Sequence, residues 1–186
     1  MLIIGLGNIG KQYVWTHHNL GFEFVNCIRE MYSNEFSVWE KHDNYELSMG
    51  TIFGKVVKLC KPQTNMNLSG RAVVKVLDQH KTRNQDIIIV YDDIYTKLYD
   101  IKFSTHKDYY DEFTWLFVDS VHEGGARGHN GLKNINLLIG NRYNKIRIGI
   151  GEPTHDIDLR DYVLMKVKNP TKWKQVFYAY IRQFNK

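Results

Sequence analysis

The sequence predicts a single α/β domain, residues 1–186, on a mixed, mostly parallel central sheet with helices on both faces. Three observations predict it. Apolar runs of strand length alternate with segments whose apolar residues recur every three or four positions. One run, Asp86 to Val90, is so rich in β-branched residues that it reads as a strand buried on both faces. The chain has 186 residues, 43% hydrophobic and 24% charged, which suits one well-packed core rather than a disordered chain.

Leu2 to Leu6 is a short apolar strand running into Gly5-Leu6-Gly7-Asn8-Ile9-Gly10. After a loop, Phe22, Val25, Ile28 and Tyr32 recur at helical spacing, which predicts a helix from about Gly21 to Tyr32. Tyr45 to Phe53 and Lys55 to Lys61 read as two strands with Gly54 at the turn. The loop Lys61 to Gly70 opens a helix with Ala72, Val73, Val76 and Leu77 on one face. The strand Asp86 to Val90 ends in Tyr91-Asp92-Asp93, and Asp100 to Ser104 reads as an edge strand. An irregular aromatic stretch follows, to about Glu123. Gly124 to Gly131 is a glycine-rich loop, with Leu132, Ile135, Leu138 and Ile139 marking a helix behind it. Lys145 to Gly151 is a further strand. Trp173, Val176, Phe177, Tyr180, Ile181 and Phe184 make the apolar stripe of a closing amphipathic helix. There is no internal repeat, low-complexity tract or interdomain linker.

The formal charge of +5 fits a polyanionic partner such as RNA, since Lys and Arg contacts to phosphate supply most sequence-independent affinity. After Asp161 there is no Asp or Glu, while Lys166, Lys168, Lys172, Lys174, Arg182 and Lys186 all follow; this is equally the composition of a solvated helix face. Aromatic residues are abundant, with twelve Tyr, and serve first as core and half-wet surface. Cys27 and Cys60 form neither a disulfide framework nor a metal cluster and read as small buried hydrophobes. No signal-peptide pattern and no apolar run of membrane-span length is present, so a cytoplasmic, soluble chain is expected.

Five segments hold residues with chemistry. Gly5-Leu6-Gly7-Asn8-Ile9-Gly10 matches G-x-G-x-x-G, but in a dinucleotide site those glycines open the helix, and here Lys11 to Asn19 intervene. The loop Tyr13 to Asn19 contains His17 and His18. A loop histidine is usually solvated, yet histidine is also the side chain best suited to proton transfer near neutral pH. Asn65-Met66-Asn67 and Gly128-His129-Asn130-Gly131 put amides beside strand or helix ends. There asparagine often serves turns and caps, and otherwise offers an uncharged donor and acceptor to a ligand. Asp92 ends the most buried strand, where a carboxylate can orient a histidine. Asp93 is the same thing or a solvated loop acid.

Together these segments resemble the bacterial peptidyl-tRNA hydrolase family. The matching pieces are Gly5-Leu6-Gly7-Asn8 with Tyr13 and Thr16 to Phe22, Lys61-Pro62 with Thr64 and Met66 to Gly70, and Asp92. Gly124-Gly125, Gly128 to Leu132, Arg147 to Gly151 and Pro153 complete them, in the family's order over most of the chain. The resemblance implies hydrolysis of the ester between a peptide and the 3′ end of tRNA. It implies His18 as general base on water, Asp92 as its orienting acid, and Asn8 as the holder of water or ester carbonyl. Asn67 and Asn130 would bind the peptide backbone of the substrate, Tyr13 and Met66 would shape the cleft around the tRNA 3′ end, Asn65 would join the substrate-binding residues, and His129 would lie beside the cleft. Arg147 would be half of a clamp on the tRNA 5′ phosphate. It implies no metal, no cofactor and a monomer.

Departures stand beside the match. Ile9 replaces the usual Pro and His17 the usual Arg, the continuation after Asp92 differs, and Ser104 occupies the place of the second clamp lysine, for which Lys102 or Lys107 could substitute. Residues 105–123 resemble an insertion, either a peripheral flap or, through Tyr109, Tyr110, Phe113, Trp115 and Phe117, a cover for the cleft. The alternatives are an RNA-binding module without catalysis, a nucleotide-dependent oxidoreductase, and a different α/β hydrolase. The last finds no Gly-x-Ser-x-Gly elbow, cysteine nucleophile or metal spacing to support it.

Overall fold

A computed structural model describes residues 1–52, 54–109, 119–122, 125–154 and 156–183. Its centre is a sheet of eight strands in the order β2-β3-β4-β1-β5-β8-β6-β7. Here β1 is Leu2–Gly5, β2 Glu40–Lys41, β3 Tyr45–Ile52 and β4 Lys55–Pro62. Likewise β5 is Ile87–Asp93, β6 Ile101–His106, β7 Ser120–His122 and β8 Asn144–Gly149. The middle four, β4, β1, β5 and β8, are all parallel. Antiparallel β3 and β2 extend one side, and on the other β6 runs antiparallel to β8 and parallel to β7. The expected mixed, mostly parallel sheet is what forms.

Alternation along the strands sorts side chains into two apolar layers. Ile3, Val90, Ile146 and Ile148 pack with Leu20, Phe24, Val25 and Ile28 of α1 (Leu20–Met31) and with Trp173, Phe177 and Ile181 of the C-terminal helix (Pro170–Gln183). Leu2, Ile4, Ile87 and Ile89 pack on the opposite face with Val73 and Val76 of α2 (Ser69–Gln79) and Leu132 and Ile135 of α3 (Asn130–Ile139). β1 and β5 are therefore covered on both sides, as their unbroken apolar runs require. Cys27 and Cys60 are free and buried in these layers. Phe24 and Phe177 meet edge to face, their ring centroids 5.3 Å apart.

One sequence expectation needs correction, and two elements carry too little pattern to be predicted. Asp100 to Ser104 is not an edge: β6 lies between β8 and the three-residue β7, whose serine and valine came from a stretch without strand patterning. A six-residue helix, α4 (Leu159–Leu164), was not expected; it buries no residue fully, so it leaves no apolar period to read. The C-terminal helix is thus α5. The short β2 was also unforeseen. Of the 105–123 stretch, Thr105 and His106 extend β6 and Lys107–Tyr109 form a 3-10 turn. Tyr110, Phe113, Trp115 and Phe117 lie outside the described residues.

The glycine run after β1 has a packing role. A Cβ on Gly5 would lie 2.1 Å from the Gly21 carbonyl oxygen, and a Cβ on Gly21 would lie 2.4 Å from that of Val90. Only glycines at both places let the start of α1 rest on the carboxyl ends of β1 and β5. Two 3-10 turns, Lys11–Tyr13 and His17–Asn19, separate the glycines from α1, so the run does not open a helix as a dinucleotide site requires.

Candidate active site

The loops after β1, β4 and β5 and the loop ahead of α3 converge at the carboxyl end of the parallel strands, the ligand-binding edge of an open α/β sheet. They enclose a cavity of about 790 Å³ lined by Asn8, Tyr13, His18, Asn65, Met66, Asn67, Asp92, His129 and Asn130. Nine residues that are spread from position 8 to 130 thereby share one wall. Arg147 does not line it. It lies on β8, where its Nη2–H donates to Ser120 Oγ at 2.8 Å and its buried Nε finds no partner among the described residues.

Asp92 is the hub. The residue is 4% exposed, and its carboxylate accepts from both His18 and His129. His18 Nδ1–H donates to the two carboxylate oxygens at 2.9 and 3.0 Å. His129 Nε2–H donates to Oδ1 at 3.1 Å, while His129 Nδ1 accepts the Leu132 N–H at 3.3 Å and so caps α3. The two bonds settle the His129 tautomer, Nε2–H with a lone pair on Nδ1. His18 keeps its Nε2 lone pair uncommitted among the described residues.

Charge separates the two rings. Burial pushes the His18 pKa down, but the Asp92 charge and hydrogen bond outweigh it, and the net effect is a rise above 6.5. For His129 burial wins over the same carboxylate, aided by repulsion from His18, and its pKa falls. Burial pushes Asp92 up, yet the two histidines hold it well below the usual carboxylate range. The carboxylate thus keeps His18 basic while burial keeps His129 neutral, which is how acid–base roles are divided within a site. His18, Asp92 and His129 are also the cluster whose ligand atoms sit closely enough, within 4.8 Å, to consider for a metal. Tetrahedral zinc sites with ligands at 2.0–2.1 Å separate those ligands by about 3.3 Å. The 2.9–3.1 Å contacts here are instead those of direct hydrogen bonds.

Asn8 is held from both sides. Its N–H donates to Asn19 Oδ1 and its carbonyl accepts from Asn19 Nδ2, each at 2.9 Å. Its Oδ1 accepts the Met66 N–H at 2.9 Å. That last bond orients the amide, because only oxygen accepts, and leaves the Nδ2 hydrogens as what Asn8 has to offer. Asn65, Asn67 and Asn130 are exposed at the rim.

The turn that carries His18 is fastened to the α4–α5 connection. Thr16 bridges Lys166, the His17 N–H donates to the Met165 carbonyl at 3.0 Å, and the Val167 N–H donates to that of Trp15 at 2.8 Å. His17 Nδ1–H reaches the Tyr162 carbonyl at 2.9 Å, and the Tyr162 hydroxyl donates to that of Ile150 at 2.7 Å. α4 in turn supplies Leu159, Arg160, Val163 and Leu164 to the cavity. These, with Tyr91, Ile94, Ala126, Arg127 and Asp158, are the lining residues that the sequence did not single out. A polar residue inside a glycine-rich loop and a short exposed helix give no periodic signal.

Comparison with known proteins identifies the family. The family model described as peptidyl-tRNA hydrolase matches residues 2–112 and 117–185. The peptidyl-tRNA hydrolase of Rickettsia bellii (strain RML369-C) is 42% identical over 164 residues, 88% of this chain and 79% of that protein. That of Rickettsia rickettsii (strain Sheila Smith) is 38% identical over 179 residues, 96% and 86% of the two chains. A crystal structure of peptidyl-tRNA hydrolase from Acinetobacter baumannii superposes with a TM-score of 0.76 at 30% identity, covering 96% of this chain and 81% of that one. With the family model spanning nearly the whole sequence, the chain belongs to the peptidyl-tRNA hydrolase family.

Proposed function

We propose that this chain hydrolyses the ester between a peptide and the 3′ end of tRNA, with His18 as general base. The observation that carries the reading is the His18–Asp92 pair at the floor of a cleft lined by amides. The Nε2 of His18 takes a proton from water as the water oxygen attacks the ester carbonyl carbon. Asp92 stabilises the imidazolium that forms. The Nδ2 hydrogens of Asn8 would donate to the oxygen on which charge develops. Collapse of the tetrahedral intermediate breaks the bond to the ribose oxygen, which takes the proton back from His18 Nε2. An ester needs no covalent nucleophile, so positioned water and one base suffice.

Asn65, Met66, Asn67 and Asn130 would hold the substrate, Tyr13 would flank the tRNA end, and His129 would orient Asp92 from its far side. Residues 1–186 would act as one catalytic domain with an insertion near 105–123, working as a cytoplasmic monomer without metal or cofactor. No helix among the described residues is long and apolar enough to cross a membrane.

The test is peptide release from an N-acetyl-aminoacyl-tRNA, with unblocked aminoacyl-tRNA as control. His18→Ala should lose about 10²–10⁴-fold in turnover, the worth of one general base, while tRNA affinity survives. A folded native chain that binds tRNA but releases no peptide would leave an RNA-binding module instead.

A further inference from the structure

Arg127 is in the left-handed region, at φ 45°, directly before Gly128 at φ 86°. Glycine takes that conformation freely and an arginine does not, so a side chain kept there asks what it does. Its partners inside the protein do not answer. The guanidinium carbon lies 4.8 Å from the ring centroid of the exposed Tyr95. Nη1 is 3.9 Å from Asp93 Oδ2, the outer limit of an ion pair. That carboxylate is already satisfied by the Thr96 hydroxyl at 2.7 Å and the Tyr95 N–H at 3.2 Å.

The location is more telling. Arg127 lines the same cavity as His18 and Asp92, two residues before His129. The positive charges of Arg127 and Arg147 both act on Lys145 and on Tyr91, so cations continue from the cleft to β8. The substrate proposed above has an asymmetric charge. Its alcohol half is an RNA 3′ end with one negative charge per phosphodiester, and its acyl half has no fixed anion. A guanidinium matches phosphate by paired N–H donors.

We propose that Arg127 is a substrate-binding residue that takes a backbone phosphodiester of the RNA 3′ end and so sets the preference for a nucleotide leaving group. The inference rests on the hydrolase reading. Its backbone conformation is held in exchange for a contact made only when substrate is present.

The experiment compares two esters of one N-acetyl-amino acid: on adenosine, without phosphate, and on a 3′-terminal trinucleotide. The native chain should prefer the trinucleotide ester. Arg127→Gly should raise KM on the trinucleotide about tenfold, as loss of a charged hydrogen bond implies, and shrink that preference by the same factor. Arg127→Lys should restore part of it. The glycine variant should melt at or above the native temperature, because glycine relieves the left-handed strain. An unchanged preference in Arg127→Gly, an equal rise of KM on both esters, or a lower melting temperature with lost turnover would each overturn the proposal. A native chain inactive on both esters would remove the hydrolase reading and this inference with it.

Discussion

At the scale of single residues, the arrangement turns on one carboxylate serving two histidines. The general-base role proposed for His18 needs its neutral form. Because Asp92 raises the His18 pKa above 6.5, kcat/KM should climb with pH and reach half its plateau above 6.5. Asp92→Asn removes the charge that favours the imidazolium, so the half-point should move to lower pH. The plateau should fall on the order of 10²–10⁴-fold, since tautomer and orientation are lost. A pH–rate profile of the two proteins checks both effects, and a half-point that does not move would separate Asp92 from the base. Much of this site was legible beforehand. His18, Asp92 and the asparagines stood at strand and helix ends where side chains of those types have chemistry to do. What no single position disclosed is that His129 shares Asp92, because that contact depends on how α3 docks beside β5. Arg127 was hidden for a related reason: its significance lies in a φ angle, which residue identity does not state.

At the scale of elements, the placement of the site follows from how tightly α1 approaches the sheet. Gly21 begins that contact, with the Val90 carbonyl oxygen and Leu6 nitrogen 2.4 and 2.5 Å from where a Cβ would be. Both neighbours are backbone and have no rotamer with which to yield. Gly21→Ala should therefore push α1 outward, at a cost of about 1–3 kcal/mol, the range for overpacking. Because the His18 turn leads straight into α1, activity should fall further than stability alone explains. Urea midpoints measured beside turnover check this; native turnover in the variant would show that the turn is positioned independently of α1. Strands and long helices were readable because burial on one face or two imposes a period on them. β7 and α4 were not, since three residues and a mostly wet six-residue helix carry no period. Yet α4 matters, because it meets the turn that carries His18 through His17 and walls the cleft.

At the scale of the molecule, the surplus of positive charge is distributed differently from its place in the sequence. The acid-free C-terminal segment reads equally as an RNA surface or a solvated helix face, and Lys174 pairs with Glu30 at 2.9 Å while Lys172 sits 4.0 Å over the ring of Tyr99. These cations fasten α5 to the body. Positive charge also gathers on β6 and β8, where Lys102 is exposed, Arg147 half-buried and Lys145 buried, its ammonium donating to the Gly125 carbonyl at 3.2 Å. Register places Lys102 opposite Arg147 and Ser104 opposite Lys145, so the lysine missing at 104 has a cationic neighbour across the strand pair. Burial first, and then Arg147 and Arg127, push the Lys145 ammonium down to about 8. A lysine with that pKa is charged below pH 8 and neutral above it, so its contribution to the positive potential around Arg147 and Lys102 is lost as pH rises. Affinity for tRNA should accordingly weaken between pH 7 and 9 in the native chain and change much less in Lys145→Gln, which is neutral throughout. Titrations of tRNA binding at the two pH values and fixed salt test this. Salt must be held constant because each phosphate contact contributes its own dependence on ionic strength, about one unit in the slope of log affinity against log salt. Equal pH dependence in the two proteins would place the phosphate contacts elsewhere, on groups that keep their charge across that range.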